Sequence, residues 1–216
     1  MSLESVRERI DAAAARAGRR SDEITLVIVS KGQSVETIKT LHDQGERDFG
    51  ENRAQELASK VDLLPPDIRW HFVGPLQSNK VRIVRPIVTL LHSLDRFELG
   101  PAWIKGPGLA PPALLQVNIG GEPQKHGVDP DDAVRIFGDL VELGVDMQGL
   151  MAIPPAAEHA EAARTHFAAM GRIATLVAAS HPGRGSLSMG MTEDFEVAVE
   201  EGATFVRVGR AIFSDK

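Results

Sequence analysis

The chain of 216 residues has no cysteine and no tyrosine. Without thiols there are no disulfides, thiolate nucleophiles or cysteine metal sites, and the cytosol is the expected compartment. No run of eighteen apolar residues occurs, so no membrane-spanning helix is expected. The start, Met1-Ser2-Leu3-Glu4-Ser5-Val6-Arg7-Glu8, is charged and lacks the apolar core of a secretory signal. Basic excess is also missing: a formal charge of −6 and a pI near 5.7 leave no broad footprint for nucleic acid. Arg19-Arg20 is too short a basic stretch to alter that. What remains, 43% hydrophobic and 25% charged residues, describes a globular protein long enough for one sizeable core, expected as a single domain over residues 1–216.

Leu3 to Ala17 reads as an amphipathic, alanine-rich helix stopped by Gly18. Short apolar runs then alternate with helical stretches almost to the end. The pattern predicts strands near 24–29, 47–49, 69–73, 87–91, 113–119, 146–150, 185–188 and 204–208. It predicts helices at 35–44, 51–62, 77–85, 94–104, 130–143, 158–179 and 192–201, the first bounded by Ser34 as cap and Gly45 as stop. Strands interleaved with helices imply a parallel sheet. Eight of them is the number a (β/α)8 TIM barrel requires, here with an extra N-terminal helix; a doubly wound open sheet is the alternative.

In a parallel barrel the C-terminal strand ends converge on one mouth. Lys31 stands there, after Ile24-Thr25-Leu26-Val27-Ile28-Val29 and Ser30. A lysine at such a position can lose its proton on desolvation and condense with a carbonyl. Other distinctive clusters fall at the same end: Phe49-Gly50-Glu51-Asn52, Trp70 to Pro75, Gly149 to Pro154, Leu187-Ser188-Met189-Gly190-Met191 and Val206-Arg207-Val208-Gly209-Arg210. The last two suggest a phosphate. Ser188 offers a hydroxyl, Gly190 permits close backbone approach, and Gly209-Arg210 open a short helical segment with free N–H groups. Lysine plus phosphate leaves an aldolase acting on a sugar phosphate or a pyridoxal phosphate (PLP) protein. Arg207 favours the second, because PLP proteins place an acid or an arginine at the pyridine nitrogen.

In order along the chain, Val29-Ser30-Lys31, Phe49-Gly50-Glu51-Asn52, Trp70-His71-Phe72-Val73-Gly74-Pro75-Leu76-Gln77-Ser78-Asn79-Lys80, Gly149 to Pro154, Leu187 to Met191 and Val206 to Gly209 closely resemble the pyridoxal phosphate homeostasis protein family. The resemblance covers residues 3 to about 213, and the Trp70–Lys80 segment is its most specific part. That family is similar in fold to the barrel domain of alanine racemase without its second domain. The resemblance implies that Lys31 carries PLP as a Schiff base and that Arg207 faces the pyridine nitrogen. It implies that Ser188, with backbone groups of Gly190, Met191, Gly209 and Arg210, holds the phosphate. Asn52 and His71 are expected to line the ring side. The implied role is control of the PLP pool, as a carrier or buffer without established turnover. A monomer is implied, with PLP-dependent apoenzymes as recipients and no nucleic-acid or membrane partner.

Two positions depart from the family pattern. Gly32-Gln33-Ser34 replaces a common proline after the lysine, and Arg210 stands where a small hydroxyl residue is frequent, substituting a charge-assisted phosphate contact. The alternative function is a PLP-dependent racemase or lyase. Alanine racemases pair the lysine with a tyrosine from across a subunit interface, and related decarboxylases bring a cysteine from a second domain. This chain has neither, so racemisation is expected to be negligible, with His71 the remaining candidate for a second base. His159 and His166 are read as a surface stripe on one helix. Asp129, Asp131 and Asp132 are read as helix-capping residues.

Overall fold

Most of the predicted strands alternate or saturate in apolar residues, and the computed structural model, which describes residues 2–213, turns all eight into one closed parallel barrel. The strands are β1 (Thr25–Val29), β2 (Asp48–Glu51), β3 (Arg69–Phe72), β4 (Leu90–Leu94), β5 (Ala113–Val117), β6 (Met147–Ala152), β7 (Ser186–Ser188) and β8 (Phe205–Val208). They are hydrogen-bonded in sequence order, and β1 closes the barrel against β8 through Val27↔Arg207 and Ile28↔Val208. The helices are α1 (Leu3–Arg16), α2 (Val35–Asp43), α3 (Ala54–Val61), α4 (Val81–Val84), α5 (Leu99–Ile104), α6 (Ala133–Glu142), α7 (Arg164–Ser180), α8 (Phe195–Glu200) and α9 (Arg210–Phe213). The TIM-barrel expectation, with its added N-terminal helix, therefore holds.

Two layers of apolar packing follow from this closure. The larger lies between strands and helices, where Phe49, Phe72, Trp103, Phe137, Phe167 and Phe195 are fully buried. Each such side chain contributes roughly 1.5–3 kcal/mol when removed from water. A small cluster inside the barrel unites Leu90, Leu114 and Met151, with Phe205 packed against it. The helix α1 turns Val6, Ile10, Ala13 and Ala14 inward. Its outer arginines reach α8, Arg9 to Glu196 at 2.5 Å and Arg16 to Glu200 at 2.7 Å. Caps fall where side-chain chemistry places them: Ser34 Oγ accepts from the Thr37 amide, and Asp129 Oδ1 accepts from the Asp131 amide.

The largest departures from the sequence reading sit around β4. The strand expected at 87–91 lies at Leu90–Leu94, because the turn after α4 continues until the Val88 amide bonds to the Val84 carbonyl. His92 and Ser93, which fall between the expected strand and the helix expected at 94–104, are fully buried strand residues. The helix expected at 94–104 consequently starts only at Leu99. The expected helices at 77–85, 130–143 and 158–179 each begin with a short 3₁₀ turn.

Gly149 is where the barrel wall tolerates no side chain. It has φ of 157°, and a Cβ there would lie 2.0 Å from the Ser186 carbonyl oxygen on the paired strand. Gly149→Ala is expected to push β6 from β7 and to cost about 3 kcal/mol or more. Chemical denaturation measures this, and a loss under about 1 kcal/mol would contradict the rigid seam.

Candidate functional site

At the C-terminal mouth of the barrel a cleft of about 470 Å³ brings residues from distant parts of the chain together. Lys31, Asn52, Met191, Arg207, Gly209 and Arg210 all border it. Val29 and Val73 and the Ile153-Pro154-Pro155 segment supply apolar wall. Six of the nine residues expected at a cofactor site thus share one cleft. Ser188, Gly190 and His71 do not border it.

Lys31 lies two residues past β1 and is exposed. The desolvation expected of it is therefore not supplied by the protein wall. Its loop is nonetheless held firmly from below. Lys60 of α3, nearly buried, donates to the Ser30 carbonyl at 2.9 Å and to Glu51 Oε1 and Glu56 Oε1, both at 2.7 Å. Glu51 Oε1 also accepts from Ser30 Oγ at 2.8 Å, and Glu56 Oε1 from the Gly32 amide at 2.5 Å. Burial pushes the Glu51 carboxyl above the ordinary range, against the hydrogen bonds from Lys60 and Ser30. The residues on both sides of Lys31 are thereby fixed by one buried cation.

Asn52 follows β2 directly, and its Oδ1 is buried without a hydrogen-bond partner. Such a group is costly unless a ligand completes it. Gly209 follows β8, where a Cβ would lie 2.8 Å from the Val29 carbonyl oxygen, so only glycine lets the two chain segments meet here. Arg210 is exposed and lies 3.5 Å from Glu193. The Met191 amide donates to Asp194 Oδ1 at 2.7 Å, so the expected phosphate contact from that amide is engaged within the loop. Gly190 has φ of 89°, and a Cβ on it would meet Ala198 Cβ at 2.5 Å. Its smallness serves the close approach of α8.

Ser188 and His71 lie deeper than the residues that border the cleft. Ser188 is fully buried; its Oγ accepts from Arg207 Nη1 at 2.5 Å and bonds His92 Nδ1 at 2.7 Å. His71 is 4% exposed and points into the barrel, with Nδ1 2.8 Å from His92 Nε2 and Nε2 3.0 Å from Asp48 Oδ1. Side chains alternate across a strand, and in β3 and β7 that alternation turns these two inward beneath the mouth. Arg207 also donates through Nη2 to the Ala152 carbonyl at 2.9 Å. Burial lowers its pKa to about 10, with Asp194 opposing the shift, so it stays a cation at neutral pH. Burial, reinforced by His71 and Arg207, pushes His92 well below the usual histidine range.

Sequence reasoning missed His159, which borders the cleft. It precedes the 3₁₀ turn at 160–163, whereas His166 lies in α7, so the two are not one helical stripe. The signal was Pro154-Pro155 just beyond β6, which disfavours a helix over the residues before His159. The pairing partners Asp48, Lys60 and His92 also passed unnoticed.

A closed parallel barrel whose mouth gathers a lysine, an arginine and an orphaned amide defines the class, and the family model of the alanine racemase N-terminal domain matches residues 1–216. A pyridoxal phosphate homeostasis protein from Aquifex aeolicus is 40% identical over 220 residues, covering 99% of this chain and 96% of that one. The chain belongs to the pyridoxal phosphate homeostasis protein family. PipY of Synechococcus elongatus, solved with PLP bound, is 31% identical with a TM-score of 0.76, covering 95% of this chain and 99% of that one. Lysine/ornithine decarboxylase of Vibrio vulnificus shares the fold alone, at 13% identity and a TM-score of 0.72 over 98% of this chain and 62% of that one.

Two predictions follow from the buried pairs. Lys60→Met leaves Glu51 without its cation and is expected to cost about 3–5 kcal/mol, whereas Lys60→Met with Glu51→Gln costs clearly less. Denaturation measures the cost, and hydrogen exchange at Gly32 and Gln33 reports release of the Lys31 loop; unchanged exchange in the single variant would remove Lys60 from this role. Asp48 has its pKa lowered from 3.8 to about 2: burial opposes ionisation, but hydrogen bonds from Arg69 and His71 outweigh it. Its stabilisation is therefore complete above about pH 4 and is lost as pH falls toward about 2. The full shift corresponds to roughly 2.5 kcal/mol, which partial solvation reduces to about 1 kcal/mol. The stability gap between wild type and Asp48→Asn is expected to narrow by that amount across this window.

Proposed function

We propose that the chain is a PLP-binding homeostasis protein: a monomeric, single-domain cytosolic carrier that loads PLP and yields it to apoenzymes without catalytic turnover. The observation that carries this reading is the convergence of Lys31 and Arg207 on one cleft from opposite ends of the chain. The orphaned Asn52 Oδ1 and the closeness enforced at Gly209 fit a polar ligand seated between them. PLP supplies an aldehyde that condenses with a primary amine and a ring that withdraws electrons from an attached carbon.

In this reading Lys31 is the attachment point. Its exposure suits a group that must be both taken up and surrendered, while the Lys60 clamp keeps it aimed at the cleft. Arg210 and the backbone at Gly209 neutralise and hold the phosphate end. Arg207 presents only donors to the ring side and has no proton-accepting atom, so it favours an unprotonated ring nitrogen and a weak electron sink. Asn52 satisfies its buried amide on the ring substituents. His71, the remaining second base in the sequence reading, is walled off inside the barrel, and tyrosine and cysteine are absent from the chain. His159 is the imidazole at the cleft, and it alone keeps a racemase or lyase reading open to test.

Loading with PLP, reducing with borohydride and mapping peptides is expected to place the pyridoxyl label on Lys31; a label solely on another lysine would overturn the attachment. Loaded protein in deuterated water with L- or D-alanine is expected to show no sustained exchange at Cα. Multiple-turnover exchange that disappears in Lys31→Ala would replace the carrier with an enzyme, and its loss in His159→Ala would name the base.

A further inference from the structure

Five polar side chains cross the inside of the barrel in a single file. Asp48 begins β2 at the N-terminal rim, where Arg69 also holds it at 2.5 Å. From there the chain runs through His71 of β3, His92 of β4 and Ser188 of β7 to Arg207 of β8 at the cleft, with links of 3.0, 2.8, 2.7 and 2.5 Å. His71, His92, Ser188 and Arg207 are all buried, so water does not substitute for a missing link without cost.

The two ends fix the direction. Arginine only donates, and the ionised Asp48 carboxylate only accepts. With both imidazoles neutral, Asp48 requires the His71 proton on Nε2, which leaves His71 Nδ1 bare. That nitrogen then requires the His92 proton on Nε2, leaving His92 Nδ1 bare. Ser188 must give its hydroxyl proton to that atom, and its oxygen lone pair accepts from Arg207. No other arrangement of neutral groups fills every link. Ser188 therefore has no proton left for a phosphate, and two donors of Arg207 are tied to Ser188 and the Ala152 carbonyl.

Taking up one proton at His71 forces a different pattern. A doubly protonated His71 donates to both Asp48 and His92, so His92 must accept at Nε2 and carry its proton on Nδ1. His92 then donates to Ser188, whose oxygen now accepts from both His92 and Arg207. The proton count rises by one, and the acceptor seen by Arg207 changes. The groups facing the file are few: Asp48 with Arg69 behind it and His92 face His71; His71 and Arg207 face His92; Asp194 faces Arg207.

We propose that Asp48, His71, His92 and Ser188 are positioning residues for Arg207, forming a directional relay that transmits protonation of His71 across the barrel to the cleft. Only the spectral part of its test rests on the cleft being the PLP site.

Nitrogen-15 NMR of histidine-labelled protein without PLP reads the relay directly. At neutral pH both His71 and His92 are expected to carry their protons on Nε2. On acid titration, uptake of a second proton by His71 is expected to be accompanied, in step, by a switch of His92 to the Nδ1 form. A neutral-pH His92 protonated on Nδ1, a His71 that stays neutral, or a His92 that keeps its tautomer while His71 titrates would each overturn the relay. With PLP loaded, the cofactor absorption is expected to shift with pH in step with His71. Ser188→Ala is expected to abolish that coupled shift, and Ser188→Thr, which keeps the hydroxyl, to restore it. An unaltered pH profile in Ser188→Ala would overturn transmission to the cleft. Failure of PLP to bind removes the spectral signal but leaves the NMR result to decide the relay.

Discussion

Closure of β1 against β8 is the constraint on which the site depends. It puts Val27 in register with Arg207 and forces Gly209 to within contact of Val29. Lys31 and Arg207, near opposite ends of the chain, become neighbours on one cleft only because that seam exists. The ladder leaves little freedom, since a one-residue slip would turn Arg207 outward and a hydrophobic neighbour inward. A fully parallel barrel also has no exposed edge, so its functional groups must be carried on the loops and final residues of the strands.

Closure has a second consequence, which is that inward-facing polar residues cannot reach water. The protein meets this in two ways. Around Lys31 it uses an ion pair, Lys60 with Glu51, whose desolvation is offset by bonds to Ser30 and Glu56. Along the barrel axis it uses a file of two imidazoles and a hydroxyl linked end to end between Asp48 and Arg207. Buried pairs of this kind contribute little net stability compared with apolar packing, but they specify geometry, because breaking one partner leaves the other stranded. Both networks terminate at residues that border the cleft or flank one that does.

Much of this was legible. The β-branched run before Lys31, the glycine stops and the capping serine at 34 are local signals, and local signals survived into the fold with boundaries displaced by a few residues. β4 was displaced most, since the apolar Ile87-Val88 pair resembles a strand while a turn hydrogen bond from Val88 to Val84 claims it. The cofactor motifs reached the right end of the barrel, because strand C-termini share a mouth whatever the register. Whether a given residue at that end faces the cleft or the interior was not legible. Ser188 and His71 stand in motifs as recognisable as those of Gly209 and Asn52, yet their places within β7 and β3 turn them inward, beneath the mouth.

By itself the sequence determined the alternation of strands and helices, the absence of thiol and phenol chemistry, and the lysine and arginine around which a PLP site can form. Those are properties of residue type and short-range pattern, which need no partner from elsewhere in the chain. Tertiary structure alone decided that Lys60 steadies the Lys31 loop and that Ser188 bonds Arg207 and His92. Each of these joins residues far apart in sequence. Their meeting depends on the register and tilt with which eight strands close, a collective geometry that no local stretch of sequence encodes.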